Sequence, residues 1–592
     1  MGDSTDAEAA DATRHPRPSL RRAWESLDGE WEAHLDRDLA ADAPGDVKWD
    51  ASITVPFAPE TPASGLGAGG FVNRCWYRRR IAAERPGDGS RVLLHFGAVD
   101  RMATVWVNGA PVARHEGGYA PFSVDVTDRV AAGDAEVVVR ADDDPADLEA
   151  PRGKQDWREE PHAIWYPRTT GIWRTVWLER VGRQRVTGVR WHGDPRTLTL
   201  AMRAEVTGGH RLAVLVRADD RVLVNDVVGV NGPVVERTFA VGAGFDDRDA
   251  LAWWPRRPRL LDVELALLDG DGAVLDEVRC DAALRTVEVQ DGHVLLNSRP
   301  YALRLVLDQG YWPASGLTPP SPEALRRDIE LTRALGFNGV RKHQKVEDPR
   351  YLALADRLGL LVWVELPSAY EPGPRTAARL LDEWRAVVEA SRTHPSVIAW
   401  VPLNESWGVP AVEHDAVQRA LVDALAAVTR ALDGTRPVSA NDGWETAGGD
   451  IVGVHDYTQD PDTLRRRYGT REAVDALLTG RRPDGRLADL DRRPAGGRAV
   501  ILSEFGGIAL GSDEDPSAWG YDRAADPADL VRRYREQWAA VHESDALAGA
   551  CWTQLTDVHQ EVNGLLRFDR TPKAPLDELA AATRGRPPEP AV

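Results

Sequence analysis

Two consecutive stretches between residues 321 and 366 share one pattern, in which an amphipathic helix pattern stops at a glycine and an apolar strand pattern follows. Each helix pattern starts with a capping residue and a proline, as helices commonly do. A strand that alternates with a helix in this way indicates βα units and a parallel sheet. The two helix patterns run from Ser321-Pro322 to Gly336 and from Asp348-Pro349 to Gly359.

Eight apolar stretches with strand character occur after residue 290. Their nearly continuous apolar composition is typical of strands that are buried on both faces. Eight such strands close a (β/α)8 TIM barrel, and residues 290–592 have a length within the range of that fold. A doubly wound open sheet is the alternative, but no glycine-rich phosphate-binding sequence follows the first strand. The eight stretches are residues 301–307, 337–343, 360–366, 397–405, 436–442, 450–457, 499–505 and 548–555.

The chain before residue 290 has almost no helical periodicity and consists of short alternating strands. In residues 20–182 the Asn108-Gly109 pair between two apolar runs predicts a β-hairpin, and the region as a whole predicts a β jelly roll. Residues 183–289 have the size of an immunoglobulin-like β-sandwich. Residues 1–19 are acidic and alanine-rich, which predicts a disordered tail.

Composition excludes several classes of protein. A net charge of -20, from 73 Lys+Arg and 93 Asp+Glu, argues against nucleic acid or an anionic membrane as the main partner. The N-terminus lacks the apolar core of a secretory signal, and no run of eighteen apolar residues occurs. Cys75, Cys280 and Cys551 are too few and too scattered for a disulfide framework. We therefore expect a cytoplasmic protein without a membrane partner.

Two glutamates end predicted barrel strands, Glu405 after residues 397–404 and Glu504 within 499–505. Catalytic groups of TIM barrels lie at the carboxyl-terminal ends of the strands, so these two side chains are expected in one mouth. Paired carboxylates across such a mouth suit cleavage of a glycosidic bond, because one protonates the leaving oxygen while the other attacks the anomeric carbon or activates water.

The sequence "RTHPSVIAWVPLNES" at 392–406 resembles the acid/base segment of glycoside hydrolase family 2, which contains β-galactosidases, β-glucuronidases and β-mannosidases. "ILSEFGG" at 501–507 is similar to the nucleophile segment of that family. Upstream, "GAVDRMATVWVNGAPVARHEGGYAPFSVDVTDRV" and "GIWRTVWLERV" resemble its sugar-binding jelly roll. The resemblance covers almost the whole chain and implies the domain order jelly roll, immunoglobulin-like domain and catalytic barrel.

The resemblance implies roles for individual residues. Glu405 would be the acid/base and Glu504 the nucleophile of a retaining mechanism, with carboxyl groups about 5 to 5.5 Å apart. Asn404 would bind the sugar 2-hydroxyl, and Tyr457 would contact the nucleophile. His455, two residues from Tyr457, would share its strand face and line the mouth. The resemblance also places Trp552 as a platform under the sugar ring.

The chain departs from the family pattern at positions that select the sugar. The family usually has arginine, two residues and histidine after the second strand, whereas here Arg341 and His343 are only two apart. Asp308 and Gln309 lie where sugar-reading residues often occur. The Asn-x-Lys of family glucuronidases is replaced in "HQEVNGLLRFDR" at 559–570. There Glu561 would repel a uronate carboxylate, so a neutral sugar is favoured, first a galactoside.

The segment 149–171 is long for a connection in a sandwich and rich in aromatic and charged residues. Long loops of this kind are often functional. We expect this loop to reach the barrel mouth, with Lys154, Asp156 and Trp157 as candidate contacts. No cluster of histidine and acidic residues has convincing metal-ligand spacing, so neither a metal nor another cofactor is predicted.

Three functional hypotheses follow. The favoured one is a retaining exo-β-glycosidase, β-galactosidase-like, acting on a small-molecule glycoside or oligosaccharide, with a β-glucuronidase or an arabinopyranosidase of the same family as alternatives. A noncatalytic carbohydrate-binding protein would not need Glu405 or Glu504, so the presence of both counts against this hypothesis. A structural protein that binds partners through its sandwiches would show no stabilisation by sugars. The family resemblance suggests a homo-oligomer, although no interface can be read from the sequence.

Overall fold

The computed structural model describes residues 14–83, 89–130, 133–482, 484–510 and 518–585. Within these residues two antiparallel sandwiches precede a parallel barrel, which confirms the predicted multidomain fold class and the order of its parts. None of the helices in this part of the chain combines the length and the apolar composition needed to cross a bilayer.

The first sandwich packs a four-stranded sheet on a six-stranded sheet around one apolar core. The predicted Asn108-Gly109 hairpin joins two of its strands, and both residues have positive φ angles as a tight hairpin requires. The four-stranded sheet has the order Trp24–Ser26, Val176–Gly182, Ser90–Phe96 and Phe122–Asp125. The six-stranded sheet has the order Ala51–Val55, Gly29–Leu35, Arg74–Ala83, Gly133–Asp142, Met102–Val107 and Ala110–Glu116, and a short pair joins Val99–Asp100 to Gly171–Ile172.

The second sandwich packs a three-stranded sheet on a four-stranded sheet. Inward-facing residues of its strands alternate with exposed ones, as expected where one face of each sheet is buried. The strands are Val186–Asp194, Thr199–Val206 and Val234–Ala240 in one sheet, and Arg221–Gly229, Arg211–Ala218, Leu261–Leu268 and Val274–Ala282 in the other.

Residues 14–19, which the sequence assigned to a disordered tail, are packed against the second sandwich. His15 is 1% exposed, and Arg17 donates to the carbonyl oxygen of Thr187 at 3.3 Å. Leu20 joins the apolar core of that sandwich. The tail prediction is therefore wrong for these residues, because a buried histidine and an apolar anchor fix them, and the rest of it falls on residues 1–13, outside the described part.

Seven parallel strands form the barrel sheet in the order β4-β3-β2-β1-β7-β6-β5. Each of them overlaps one of the predicted strands. Their apolar residues are buried on both sides, in an inner cluster and in an outer cluster that packs against helices. The strands are β1 (Leu303–Asp308), β2 (Gly339–Lys342), β3 (Leu361–Glu365), β4 (Val397–Val401), β5 (Ile451–His455), β6 (Ala499–Gly506) and β7 (Gly549–Thr553).

The predicted strand at 436–442 is not a regular strand, yet it occupies the space between β4 and β5. Trp400 donates to Pro437 O at 3.1 Å and Ser439 donates back to Trp400 O at 2.9 Å. On the other side, Ile451 donates to Val438 O at 3.2 Å. These bonds close the barrel without a continuous ladder.

The helices of the barrel begin with the predicted signals. Ser321 accepts a hydrogen bond from Ala324 N, and Asp348 accepts one from Arg350 N. Gly359 ends the second helix with φ 74°, a conformation that favours glycine. The helices are Pro322–Ala334, Pro349–Leu358, Pro374–Ser391, Ala416–Leu432, Pro461–Tyr468, Arg471–Thr479, Pro527–His542 and Leu576–Arg584.

Candidate active site

The structure places Glu405 and Glu504 together at the carboxyl-terminal end of the barrel. Glu405 lies in the turn after β4, and Glu504 lies in β6. One oxygen of each carboxylate and one ring nitrogen of His455 all lie within 4.8 Å of one another. Two carboxylates and an imidazole, from the ends of β4, β5 and β6, therefore share one small space.

The turn that carries Glu405 has an unusual backbone conformation. Glu405 and Ser406 have φ angles of 50° and 56°, which non-glycine residues rarely adopt. The turn is held because Glu405 N donates to Asp442 O at 2.9 Å and Ser406 N donates to the Asn441 side chain at 3.0 Å. Such positions are common at functional sites, where the surrounding structure compensates for their cost.

The carboxylate of Glu504 is surrounded by hydrogen-bond donors. Arg341 Nη1 donates to its Oε1 at 2.8 Å, and the hydroxyl of Tyr457 donates to its Oε2. Burial alone would raise the pKa of Glu504, but the charges of His455 and Arg341 outweigh burial and hold that pKa well below its usual range. Glu504 is therefore ionised at neutral pH, as a nucleophile must be.

His455 bridges the two glutamates. Its Nδ1 lies 2.6 Å from Glu405 Oε1, and its Nε2 lies 3.1 Å from Asp442 Oδ2 and 3.3 Å from Glu504 Oε1. Burial would lower the pKa of this imidazole, but the three neighbouring carboxylates outweigh burial and raise it to about 9. At neutral pH His455 is therefore a cation between two acidic side chains.

Asn404 and Gln309 hold unused hydrogen-bonding atoms in this region. Asn404 Oδ1 accepts from Arg341 Nη2 at 2.6 Å, which leaves its Nδ2 buried and without a partner among the described residues. Gln309 Nε2 donates to Gln554 at 3.1 Å, while its Oε1 is likewise unpaired. Buried polar atoms are normally satisfied, so these two are available to a ligand. One is a donor and the other an acceptor, a combination that suits sugar hydroxyl groups.

His343 lies beside Glu504, although its spacing from Arg341 departs from the family pattern. Its Nδ1 is 3.0 Å from Glu365 Oε1 and 3.9 Å from Glu504 Oε1. Residues 341 and 343 point to the same side because side chains alternate along an extended strand.

Asp308 does not point into the mouth. Lys342 Nζ donates to its Oδ2 at 2.5 Å, and Gly310 N donates to its Oδ1 at 2.9 Å. Asp308 pairs with Lys342 in the register of β1 and β2, one residue out of phase with Gln309 and Arg341. The expectation that Asp308 reads sugar hydroxyls is therefore wrong, because strand alternation turns it toward the outer layer.

Trp552 is also turned away from the mouth. It is fully buried and packs edge-on against Phe505 and Tyr534, with ring centroids 5.1 and 4.5 Å away. A side-chain carbon on Gly506 would meet its ring at 2.5 Å. Trp552 therefore belongs to the apolar layer between strands and helices, and the expectation of a sugar platform at this residue is wrong.

Glu561 connects the barrel with the loop of the first sandwich. Its Oε2 accepts from the hydroxyl of Tyr166, and its Oε1 accepts from Asn563 Nδ2 at 3.1 Å. Glu561 is 2% exposed, so it lies under the loop rather than at the surface. Both carboxylate oxygens already have protein donors, so Glu561 holds the loop against the barrel. Its carboxylate also places a negative charge next to the loop.

The loop 149–171 covers one side of the barrel mouth, as the sequence suggested. Arg152 N donates to Ser368 O at 3.0 Å, and Trp165 Nε1 donates to the hydroxyl of Tyr370 at 2.7 Å. Asp156 is fully buried and binds His162 at 2.7 Å, so it shapes the loop itself. Four aromatic rings, Trp157, Trp165, Tyr370 and Trp407, form a cluster that we call the aromatic rim.

Glu405, His455 and Glu504 are also the one group of potential metal ligands among the described residues. Sequence spacing gave no indication of it, because the three residues come from different strands. His455 makes short contacts with both glutamates, so the ligand atoms of this group already have partners within the protein. The three residues can therefore form a hydrogen-bonded triad, and the same atoms are of the kind that bind a cation.

Arg341, Glu365 and Asp442 were not among the predicted site residues. Arg341 is fully buried, and it lies 2.7 Å from Glu365 and 3.1 Å from Asp442 in addition to its contact with Glu504. The signal that could have identified it is an arginine within a predicted barrel strand, two residues before His343 and therefore on the same strand face. A charge on the inward face of a barrel strand requires partners in the same interior.

Comparison with known families agrees with this arrangement. Residues 287–462 match the model "Glycosyl hydrolases family 2, TIM barrel domain". Residues 71–174 match the model "Glycosyl hydrolase 2 galactose-binding domain-like". The first of these matches lies in the barrel and the second lies in the first sandwich, as described above.

Individual relatives agree with the family models. A β-galactosidase of Thermoanaerobacter pseudethanolicus is 27% identical over 56% of the chain, which spans only 44% of that protein. A β-glucuronidase of Canis lupus familiaris is 26% identical, with 78% of the chain and 76% of that protein covered. The crystal structure of a β-galacturonidase from Eisenbergiella tayi has the same fold, with a TM-score of 0.72, 20% identity and coverage of 96% and 98% of the two chains. The chain therefore carries two regions of glycoside hydrolase family 2, residues 71–174 in the first sandwich and residues 287–462 in the barrel.

Proposed function

We propose that this chain is a retaining exo-β-glycosidase that acts by double displacement, with Glu405 as acid/base and Glu504 as nucleophile. The observation that carries this proposal is the approach of the two carboxylates, with an oxygen of each within 4.8 Å. Retaining glycosidases place these groups about 5 to 5.5 Å apart, whereas inverting enzymes leave about 6.5 to 9.5 Å for a water molecule.

The surroundings of the two acids support different roles. Glu504 accepts from Arg341 and Tyr457 and is held as a carboxylate, which suits attack on the anomeric carbon. Among the described residues Glu405 has one short side-chain contact, with His455, and its side chain is 14% exposed. A carboxyl group that reaches the mouth can deliver a proton to the leaving oxygen and later accept one from water.

The reaction follows from these positions. Glu405 protonates the glycosidic oxygen while Glu504 attacks the anomeric carbon, so the aglycone leaves as an alcohol and a glycosyl ester forms on Glu504. Glu405 then takes a proton from water, which attacks the same carbon and releases the sugar and the Glu504 carboxylate. Asn404 Nδ2 is available to donate to the sugar 2-hydroxyl, a contact that strengthens in the transition state.

For the sugar we propose a neutral β-glycoside, with a β-galactoside first. Glu561 supports this choice, because it places a negative charge where the glucuronidases of the family have an Asn-x-Lys sequence, and a uronate carboxylate would be repelled. A β-glucuronide or β-galacturonide is the second candidate, since a canine β-glucuronidase is among the relatives of this chain. The loop 149–171, which covers one side of the mouth, supports action on terminal sugars.

A panel of nitrophenyl glycosides tests these proposals. We expect Glu504→Gln to abolish turnover of every substrate, whereas Glu405→Gln retains activity only toward glycosides with good leaving groups. Glu371→Gln, an exposed carboxylate near the mouth, is the matched control and should behave as the wild type. Mass spectrometry after reaction with a 2-deoxy-2-fluoro glycoside should find the sugar on Glu504. Unchanged turnover of Glu504→Gln, or release of the inverted anomer, would contradict the mechanism.

A further inference from the structure

Lys154 is a buried lysine in the loop that covers the barrel mouth. The residue is 5% exposed, and its carbonyl oxygen accepts from Tyr166 N at 2.8 Å. Its ammonium group has no hydrogen-bond acceptor and no carboxylate within salt-bridge distance among the described residues. The face of Trp407 lies beside it, with Nζ 5.1 Å from the ring centroid. The protein does not fully enclose this Nζ, and a cation–π contact replaces only part of an ion pair, so the ammonium ion remains available to an anion.

The other buried lysines of the described chain are all paired. Lys342 lies 2.5 Å from Asp308 and 2.6 Å from Glu347. Lys345 lies 3.0 Å from Glu347 and donates to two carbonyl oxygens. Lys573 lies 2.6 Å from Asp557. Lys154 therefore differs from them in one respect, the missing anion.

The loop holds Lys154 firmly against the barrel. Gly153 has φ 61°, and a side-chain carbon there would come within 2.3 Å of Gln344 O, so the backbone must stay this close. Arg152 N donates to Ser368 O at 3.0 Å on the same side. The backbone of Lys154 cannot leave the mouth without breaking these contacts, so its ammonium group stays within one side-chain length of this position.

The position of Trp407 identifies the part of the substrate that Lys154 faces. Trp407 follows Glu405 by two residues, and its backbone N donates to Asn404 O at 3.0 Å. An acid/base residue contacts the leaving oxygen, so the space beside it receives the aglycone. Lys154 lies over the ring that lines this space, whereas the negative charge of Glu561 lies in the segment after β7 that corresponds to the sugar-reading Asn-x-Lys.

The aromatic rim provides the second half of a saccharide site. Trp165 stacks on Trp407 with ring centroids 6.1 Å apart, and Tyr370 lies 5.3 Å from Trp407. Indole faces pack against the apolar face of a sugar ring, while an ammonium ion binds a carboxylate or sulfate in a charge-assisted hydrogen bond. A ring wall with one unpaired cation is therefore complementary to an acidic sugar.

We propose that Lys154 and the aromatic rim form an aglycone subsite for a saccharide that carries a carboxylate or a sulfate. The substrate is then a neutral sugar linked to an acidic one. This inference rests on the proposed glycosidase function and adds the chemical class of the leaving group.

The test uses pairs of substrates that differ in the charge of one aglycone substituent, and it compares their ratio between wild type and variants so that intrinsic reactivity cancels. Galactosyl-β-glucuronate is compared with galactosyl-β-glucose, and a carboxyphenyl β-galactoside with its methyl ester; galactosyl-β-(glucose 6-sulfate) separates sulfate from carboxylate. The measured quantity is the ratio of kcat/KM for the charged and the neutral member of each pair. Wild type should prefer the charged member, and this preference should weaken as salt is added.

Lys154→Met should lower that ratio at least about tenfold, since a hydrogen bond to a charged group is lost. Lys154→Arg should keep most of it, and Arg158→Met, which removes an exposed cation from the same loop, should leave it unchanged. An unchanged ratio in Lys154→Met would overturn the proposal. A loss confined to nitrophenyl uronides would also overturn it, because the anion would then belong to the cleaved sugar.

The two proposals fail differently. If wild type cleaves none of the glycosides, or if Glu504→Gln is fully active, the glycosidase function fails. If wild type is active and Glu504→Gln is not, but Lys154→Met keeps the wild-type ratio for every pair, only the subsite fails. If galactosides are poor substrates, the sugar preferred in the nitrophenyl panel replaces galactose in each pair.

Discussion

Arg341 Nη1 lies 2.8 Å from Glu504 Oε1, and this contact crosses the barrel interior from β2 to β6. The same guanidinium binds Asn404 at 2.6 Å and Glu365 at 2.8 Å. One planar guanidinium group therefore orients Glu504, the proposed nucleophile, and Asn404, the neighbour of the proposed acid/base, together. Arginine suits this task because its donors are fixed in a plane and its charge does not depend on pH.

Arg341→Lys should keep the charge but lose the fork. We expect kcat/KM to fall at least about a hundredfold, because a single ammonium cannot orient Glu504 and Asn404 at the same time. The acid limb of the pH profile should stay close to that of the wild type, since lysine keeps the positive charge that helps to lower the pKa of Glu504. Arg285→Lys is a matched control, because that buried guanidinium binds backbone carbonyls of His394 and Val397 at the start of β4. An equal loss in both variants would indicate a general packing defect instead.

Tyr457→Phe should remove the hydroxyl that donates to Glu504 Oε2. We expect kcat to fall about a hundredfold to a thousandfold, because one preorganised donor to the reacting group is lost while the ring remains. Tyr468→Phe removes a similar bond, from a tyrosine hydroxyl to Asp456 at 2.8 Å, outside the triad. Steady-state kinetics give kcat for both variants, and we expect a large loss in Tyr457→Phe and a small one in Tyr468→Phe. Equal kcat values for Tyr457→Phe and wild type would exclude a role for this hydroxyl.

His455 should make stability depend on pH. Its pKa is raised from 6.5 to about 9, so the folded state binds this proton more tightly than the unfolded state. The resulting stabilisation is complete below about pH 6.5 and is lost as the pH rises through about 9, and it amounts to at most about 3 kcal/mol. Thermal unfolding of wild type and His455→Asn at pH 6 and pH 9.5 measures the effect. Wild type should lose more stability than the variant over this interval, and parallel losses would refute the assignment.

Tyr166→Phe should weaken the brace between the first sandwich and the barrel. Without the hydroxyl, Glu561 Oε2 loses its donor in a buried position, which costs about 1 to 3 kcal/mol. We expect a lower melting temperature and a higher KM, because the loop that covers the mouth is held less firmly. Tyr311→Phe changes the neighbouring ring, whose centroid is 5.0 Å away, and should have a smaller effect. An unchanged KM in Tyr166→Phe would mean that the loop position does not depend on this bond.

The barrel could be predicted because its signals are local. Ser321, Asp348 and Gly359 mark the ends of two helices through their own backbone preferences, and the structure uses all three as expected. The stretch 436–442 was predicted as a strand from its composition, but the chain there makes only separate bonds to β4 and β5. The intrinsic strand preference of these residues does not determine whether a continuous hydrogen-bond ladder forms, because the distance to β4 and β5 on either side decides that.

Substrate-site predictions were less successful where side-chain direction mattered. Asp308 and Gln309 are adjacent, and only Gln309 offers a free atom to a ligand, because alternation along β1 turns Asp308 toward Lys342. The prediction for Trp552 was wrong for the same reason, since its ring packs on Tyr534 in the layer between the strands and the helices. An error of one residue in strand phase moves a side chain from the mouth to the helix layer.

By itself the sequence determined the order of the parts and the two strand ends that carry Glu405 and Glu504, because periodicity and helix caps act over a few residues. Only the tertiary structure decided which groups surround those carboxylates. Arg341, Asp442 and His455 come from separate positions around the barrel, and Lys154 comes from another domain. Charges interact through space over a few ångströms, whatever their separation along the chain, so the pKa values and the unpaired lysine exist only once the barrel closes and the loop covers it.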